Sequence, residues 1–223
     1  PNCSRNCKFC NIKSEGVFPE DLLEGERVAE AAFKMGLSYV VITSVTRDDL
    51  KDKGAYAFAR TIRAVKQKLP NAKIEVLTPD FGGDKDLLKI VLDEKPYVFN
   101  HNLETVRRLS LLIRSGAIYE RSLSILRMSK EMDPKIITKS GIIVGLGETR
   151  DEIVETIKDL AEVGIDRLTI GQYLQPSREH YKVQKFYTPL EFEDFRNEAK
   201  KKGIKWVMAG SFVRSSYMAQ SEI

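Results

Sequence analysis

Cysteine is scarce in this chain and confined to one place: of 223 residues only three are cysteine, and Cys3, Cys7 and Cys10 all precede residue 11. An odd count, with spacings too short to close useful loops and no secretory segment, excludes a disulfide framework. Histidine is equally rare. A closed zinc tetrahedron on the three thiolates would need His101 or His180, the only histidines, or an acidic side chain as its fourth ligand. No apolar run approaches the roughly 18 to 20 residues of a membrane helix, and 42% hydrophobic with 30% charged residues describes a soluble chain. A strong charge of one sign is also lacking. The net charge of +4 is dispersed, and Lys200-Lys201-Lys202 falls at a helix end, where cations favour the macrodipole, so neither a nucleic-acid nor a membrane partner is expected. Reduced thiols point to a reducing compartment, the cytoplasm, or the mitochondrion in a eukaryote. The length suits one domain spanning 1–223, with no repeat or low-complexity linker.

What is there is a ligand set. Cys3-x3-Cys7-x2-Cys10 lets successive thiolates converge on one metal centre, and three of them suit a [4Fe-4S] cube, one iron of which is left open to substrate or cofactor. With Phe9 immediately before the last cysteine, the loop resembles the signature of radical S-adenosylmethionine enzymes. A zinc site and inert thiols are the plainer alternatives. The sequence begins at Pro1 with no strand ahead of this loop, so it is read as lacking an N-terminal segment.

Periodicity predicts alternating strands and helices. The β-branched run Tyr39-Val40-Val41-Ile42-Thr43 is the clearest strand; others are Ile74 to Leu77, Tyr97 to Phe99, Ile136 to Val144, Arg167 to Ile170 and Ile204 to Met208. Pro19-Glu20-Asp21 opens a helix to about Gly36, expected to bury Leu22, Leu23, Val28, Ala32 and Phe33. Thr188-Pro189-Leu190-Glu191 is a capping box. Further helices are expected at about 55–68, 84–93, 103–114, 122–131 and 150–163. The alternation means an α/β protein with a parallel sheet, and polar residues after several strands favour a partial (β/α) barrel with its active site at the C-terminal strand ends.

Two of those polar segments stand out. Asn100-His101-Asn102-Leu103-Glu104-Thr105 offers amide and carboxylate groups to ribose hydroxyls, although Asn102 as a helix cap explains it more simply. Lys139 to Glu148 passes through Gly141, Gly145 and Gly147 toward a helix, where backbone N–H groups can approach a ligand and Lys139 can meet a carboxylate.

These segments, with Val41-Ile42-Thr43-Ser44-Val45, Arg47-Asp48-Asp49-Leu50, Pro79-Asp80-Phe81, Gly171-Gln172-Tyr173-Leu174-Gln175-Pro176-Ser177 and Arg214-Ser215-Ser216-Tyr217, resemble the lipoyl synthase family collinearly over the whole chain. Asn100 to Glu104 is also similar to biotin synthase, and a biotin-synthase-like sulfur transferase or a non-catalytic metal-binding module are the alternatives. The resemblance implies radical insertion of two sulfur atoms at C6 and C8 of an octanoyl chain on a lysine of a lipoyl-carrier protein. It implies a radical [4Fe-4S] cluster on Cys3, Cys7 and Cys10, S-adenosylmethionine, and an auxiliary [4Fe-4S] cluster that gives up its sulfur. Asn102 and Glu104 become contacts to the S-adenosylmethionine ribose, Ser44, Lys139 and Glu148 further parts of its pocket, and Ser216 an oxygen ligand of the auxiliary cluster. A low-potential donor such as ferredoxin or flavodoxin is the implied source of electrons. The three further cysteines that hold the auxiliary cluster in the family are not in this sequence.

Overall fold

The computed structural model describes residues 2–14, 16 and 19–220. Its one sheet contains β1 (Tyr39–Thr43), β2 (Lys73–Leu77), β3 (Val98–Asn100), β4 (Ile137–Val144), β5 (Arg167–Gln172) and β6 (Trp206–Gly210), in that spatial order. Every neighbouring pair is parallel. The helices are α1 (Glu24–Lys34), α2 (Ala55–Lys68), α3 (Lys85–Asp93), α4 (Arg107–Ile113), α5 (Tyr119–Met132), α6 (Arg150–Glu162) and α7 (Pro189–Lys201). Parallel crossovers are right-handed. Strands that always advance in one direction therefore put every crossover helix on one face, and the other face curls inward as a barrel wall. The expected partial (β/α) barrel is the architecture observed.

Strand alternation sorts the side chains between the two faces. Val40, Ile42, Ile74, Val76, Ile142, Leu168 and Ile170 join the helix-side core with Phe58, Leu88, Ile125, Ile153 and Phe195. Burying each such side chain contributes about 1.5–3 kcal/mol. The alternate positions form a polar floor inside the barrel. Tyr39 Oη donates to Glu75 Oε2 at 2.8 Å, Asn100 Nδ2 to Glu75 Oε1 at 3.2 Å, and Lys139 Nζ lies 3.1 Å from the same oxygen. Arg167 acts on the Tyr39 hydroxyl as well. In a flat sheet those two strands would stand about 19 Å apart, so the contact measures the curl.

Two helices differ from expectation. The first begins at Glu24, and Leu22, Leu23 and Phe33 are exposed, because α1 presents Gly25, Ala29 and Ala32 to α2 instead. A Cβ on Gly25 would meet Thr61 of α2 at 3.1 Å, so small residues set this close approach. The fourth starts at Arg107 with Val106 as its N-cap, leaving 101–106 as a non-helical segment that bridges to β4 at Glu104 and in which Asn102 caps nothing. The capping box at Thr188 is present as predicted, with Pro189 first in α7.

Candidate active site

The cysteine loop is strapped to the C-terminal ends of the strands. Ser4 donates through its N–H and its hydroxyl to the Thr46 carbonyl at 3.0 and 2.9 Å, and accepts from the Asp48 N–H at 2.9 Å. Arg5, buried between the first two cysteines, donates Nε to Asp48 at 2.6 Å and Nη2 to Asp80 at 2.7 Å. Those carboxylates follow β1 and β2, so one guanidinium ties the loop to both. Burial alone would raise the Asp80 carboxyl, but Arg5 and the Gly82 N–H hold it well below the usual range. On the other side, the Lys8 N–H donates to the Ile113 carbonyl at 2.9 Å and the Tyr181 N–H to the Lys8 carbonyl at 3.0 Å. His180 bridges Ser177 Oγ, 2.8 Å from Nδ1, and the Cys10 carbonyl, 3.2 Å from Nε2.

Each sulfur receives one backbone N–H: Cys3 from Arg5 at 3.4 Å, Cys7 from Ser115 and Cys10 from Ile12. Burial pushes the Cys7 and Cys10 thiols up, and these N–H groups, with the charge of Arg114 at Cys7, oppose it. Both histidines are committed elsewhere. His180 braces the loop through its ring nitrogens, and His101 is buried between the Thr78 carbonyl at 2.8 Å and Ser122 Oγ at 3.0 Å. Neither is a fourth zinc ligand, and among the described residues no three His, Cys, Asp or Glu side chains are grouped to hold a single ion. Three partly buried sulfurs on an anchored loop, each with an N–H donor, fit a cluster that takes three thiolates and leaves one position open.

Beside Phe9 and Cys10 opens a cavity of about 380 Å³ whose walls include Thr43, Leu77, Asn102, Glu104, Thr169 and Ser215. Gly141 makes its floor. A Cβ there would stand 2.7 Å from Thr169 Oγ1, 2.9 Å from Asn102 Oδ1 and 3.0 Å from Ser215 Oγ, so the bare glycine is what lets three polar side chains converge. Asn102 Nδ2 donates to Ser215 Oγ at 2.6 Å and to Glu104 Oε1 at 3.0 Å, while its buried Oδ1 has no partner. Glu104 sits at φ 66°, held by its N–H on the Gly141 carbonyl at 2.9 Å and its carbonyl on the Ile143 N–H at 2.8 Å. A left-handed glutamate costs on the order of 1–3 kcal/mol and persists only where its surroundings over-determine it. Burial raises its carboxyl above the usual range, against the opposing charge of Arg114 and the Asn102 amide.

The sequence-derived site residues therefore separate. Cys10, Asn102, Glu104 and Ser216 line one cavity, and Cys3 and Cys7 belong to the loop beside it. Lys139 does not reach it: fully buried, it lies in the polar floor against Glu75. Nor does Glu148, whose carboxylate turns back to accept the Gly145 and Leu146 N–H groups at 2.6 and 2.9 Å and the Tyr187 hydroxyl at 3.0 Å. Ser44 is exposed, and its hydroxyl donates to the neighbouring Val45 carbonyl at 2.9 Å. Arg5, Asp80, Arg114, Thr169, Ser177, His180 and Ser215 were not singled out as site residues from sequence. Signals for several of them are in the sequence: Arg5 lies inside the cysteine spacing, Asp80, Ser177 and Ser215 fall in segments that carry the family resemblance, and His180 is one of two histidines.

The Radical SAM superfamily model matches residues 1–174. Lipoyl synthase of Symbiobacterium thermophilum is 54% identical over 220 residues, covering 99% of this chain and 69% of that relative. Lipoyl synthase of Bacillus cereus is 52% identical over 221 residues, covering 99% and 74%. Among solved structures, Streptococcus suis SuiB bound to precursor peptide SuiA superimposes with a TM-score of 0.72 at 16% identity, over 98% of this chain and 49% of that one. Methylornithine synthase (PylB) does so with a TM-score of 0.67 at 14% identity, over 92% and 68%. At such identities these two speak to the fold alone. The anchored cysteine loop, the polar cradle beside it and the extent of the sequence match lead to one conclusion: the chain belongs to the lipoyl synthase family of the radical S-adenosylmethionine superfamily.

Proposed function

We propose that this chain is the radical-generating catalytic domain of a lipoyl synthase, with Cys3, Cys7 and Cys10 holding the radical [4Fe-4S] cluster and Asn102 and Glu104 binding the ribose of S-adenosylmethionine. When bound, these groups supply reductive cofactor cleavage and hydrogen abstraction at C6 and C8 of an octanoyl chain, with an auxiliary [4Fe-4S] cluster as the sulfur source. The observation that carries the reading is the cradle over Gly141, where an unpartnered buried amide oxygen and the half-buried carboxyl of Glu104 face a cavity walled by Cys10. Asn102 Oδ1 and the Glu104 carboxylate are acceptors, and hydroxyl donors are what they lack. Phe9, Leu77 and Ile143 give the remainder of the cavity an apolar lining that suits an acyl chain and keeps water from a reactive centre.

Ser216 lines the same cavity as Cys10, Asn102 and Glu104 and is exposed, and we assign its hydroxyl as the oxygen ligand of the auxiliary cluster on the strength of the family resemblance. The three cysteines of this sequence are assigned to the radical cluster, and the chain spans 69–74% of the length of the two relatives. The partners are an octanoylated carrier protein or domain and a low-potential one-electron donor of the ferredoxin or flavodoxin kind. No helix of the described residues is long and apolar enough to cross a membrane.

The test is anaerobic turnover of the full-length protein with an octanoyl-lysine peptide, quantifying 5′-deoxyadenosine and sulfur-inserted product separately. Alanine at Cys3, Cys7 or Cys10 is expected to abolish both products. Ser216→Ala is expected to keep 5′-deoxyadenosine and lose sulfur insertion. Cofactor cleavage by any of the three cysteine variants would overturn the ligand assignment, and equal loss of both products in Ser216→Ala would remove Ser216 from the site.

A further inference from the structure

Two buried guanidinium groups serve the cysteine loop, Arg5 from within it and Arg114 from the end of α4, and only the first is paired with carboxylates. Arg5 has Asp48 and Asp80 at 2.6 and 2.7 Å. Arg114, 6% exposed, has instead the Ser122 hydroxyl at 3.0 Å from Nη1 and the Asn102 carbonyl at 3.3 Å from Nη2, and it forms no ion pair with a described carboxylate. A buried cation without a paired anion is expensive, and proteins keep one where a counter-charge arrives. The nearest candidates are on the page. Arg114 closes the end of α4, the stretch whose Ile113 carbonyl accepts from the Lys8 N–H and whose Ser115 N–H donates to the Cys7 sulfur. Its charge is felt by Cys7 and by Glu104. The neighbouring His101 adds no second positive charge, because burial and Arg114 keep it neutral at physiological pH.

We propose that Arg114 is the fixed counter-charge of the iron–sulfur site, a positioning residue that stabilises the reduced cluster electrostatically and, through the Asn102 carbonyl, holds the ribose-binding segment in register with it. The inference rests on the cysteine loop carrying a cluster, as proposed above. The step concerned is transfer of one electron from a low-potential donor: no bond forms or breaks, and the thiolate-held group becomes one unit more anionic. A cation locked beside Cys7 favours that product over the oxidised state, and its removal should make reduction harder. One unit charge lost from a buried position near a redox centre is expected to change the equilibrium about tenfold.

The experiment is an anaerobic redox titration of the full-length protein, followed by electron paramagnetic resonance without S-adenosylmethionine. Parent, Arg114→Gln, Arg114→Lys and Ser122→Ala are compared, with iron content and thermal melts measured on each. In Arg114→Gln the reduced-to-oxidised ratio at fixed ambient potential should fall about tenfold, equivalent for one electron to a shift of about 59 mV to more negative potential. Arg114→Lys, which keeps the charge, and Ser122→Ala, which removes hydrogen bonds to Arg114 and His101 but no charge, should stay near the parent. An unmoved potential in iron-replete Arg114→Gln overturns the proposal, as does a Ser122→Ala shift of the same size. If Arg114→Gln assembles no cluster while Arg114→Lys assembles one at the parental potential, the requirement is for charge and the proposal stands; equal failure of both makes the role structural and overturns it. A parent that holds no iron would instead refute the cluster assignment itself.

Discussion

Glu75 and Glu104 are two carboxylates in the same barrel with opposite circumstances. Glu75 lies in the floor, wholly buried in a regular strand, and takes three donors, Tyr39, Asn100 and Lys139. Glu104 stands at the mouth in a left-handed conformation and takes one side-chain donor, Asn102. Saturating a buried carboxylate from within the protein makes it part of the scaffold, whereas leaving acceptor capacity open at a strained position reserves it for a ligand. The two layers are thus a plug and a receptacle built from the same residue types.

The largest expected effect breaks the plug. Lys139→Met leaves Glu75 buried without its cation and should cost about 3–5 kcal/mol of stability, read as a fall in Tm of roughly 2–4 °C per kcal/mol for a chain of this length. Adding Glu75→Gln should recover most of the loss. A single variant that melts with the parent would mean the floor is not held by that pair.

Next comes His101, which sits under the mouth. Burial, reinforced by Arg114, pushes it down to about 4 from 6.5. Its folded value is depressed, so the stability it contributes is present above pH 6.5 and is lost as pH falls toward 4, because the unfolded chain takes up the proton first. The full loss is about 3 kcal/mol. Urea denaturation between pH 7.5 and 4 should show that slope in the parent and a shallower one in His101→Gln; parallel profiles would contradict it.

A smaller effect follows from filling the receptacle. Gly141→Ala places a methyl group within 3.0 Å of Thr169, Asn102 and Ser215. Overpacking of this kind costs about 1–3 kcal/mol, and S-adenosylmethionine affinity should fall more than the melt predicts. Unchanged affinity would show that the cradle is not the cofactor's.

How much of this was legible in the sequence follows from what periodicity encodes. The run Tyr39-Val40-Val41-Ile42-Thr43 coincides with β1 because a β-branched, buried strand has no competing reading. Alternation also puts Lys139 on the interior face with Gly141, but a period of two says nothing about depth, and Lys139 proves to be one layer too low to meet a ligand. Glu148 was misleading for a different reason: the positive φ of Gly145 and Gly147 folds the chain so that the carboxylate caps its own loop. Leu22, Leu23 and Phe33 read as a buried stripe, yet the smaller face of α1 packs, since close approach to α2 depends on Gly25. Arg114 leaves no sequence signal because its partners are a hydroxyl and a backbone carbonyl, and Arg5, though marked by its place inside the cysteine spacing, has carboxylate partners 43 and 75 residues away that no local pattern names.

The contrast between the two carboxylates is tested most directly by S-adenosylmethionine binding to the anaerobically reconstituted full-length protein, parent against Glu104→Gln, with a thermal melt of each apo form. Burial disfavours the charged form and raises the Glu104 carboxyl, so its contribution to stability is present at low pH and lost as pH rises through its folded pKa, a penalty that a neutral amide escapes. The account predicts that Glu104→Gln binds the cofactor about tenfold more weakly, within the range of about 1–3 kcal/mol for a lost hydrogen-bond partner, while its apo form melts no lower than the parent. Parental affinity in the folded variant would contradict it.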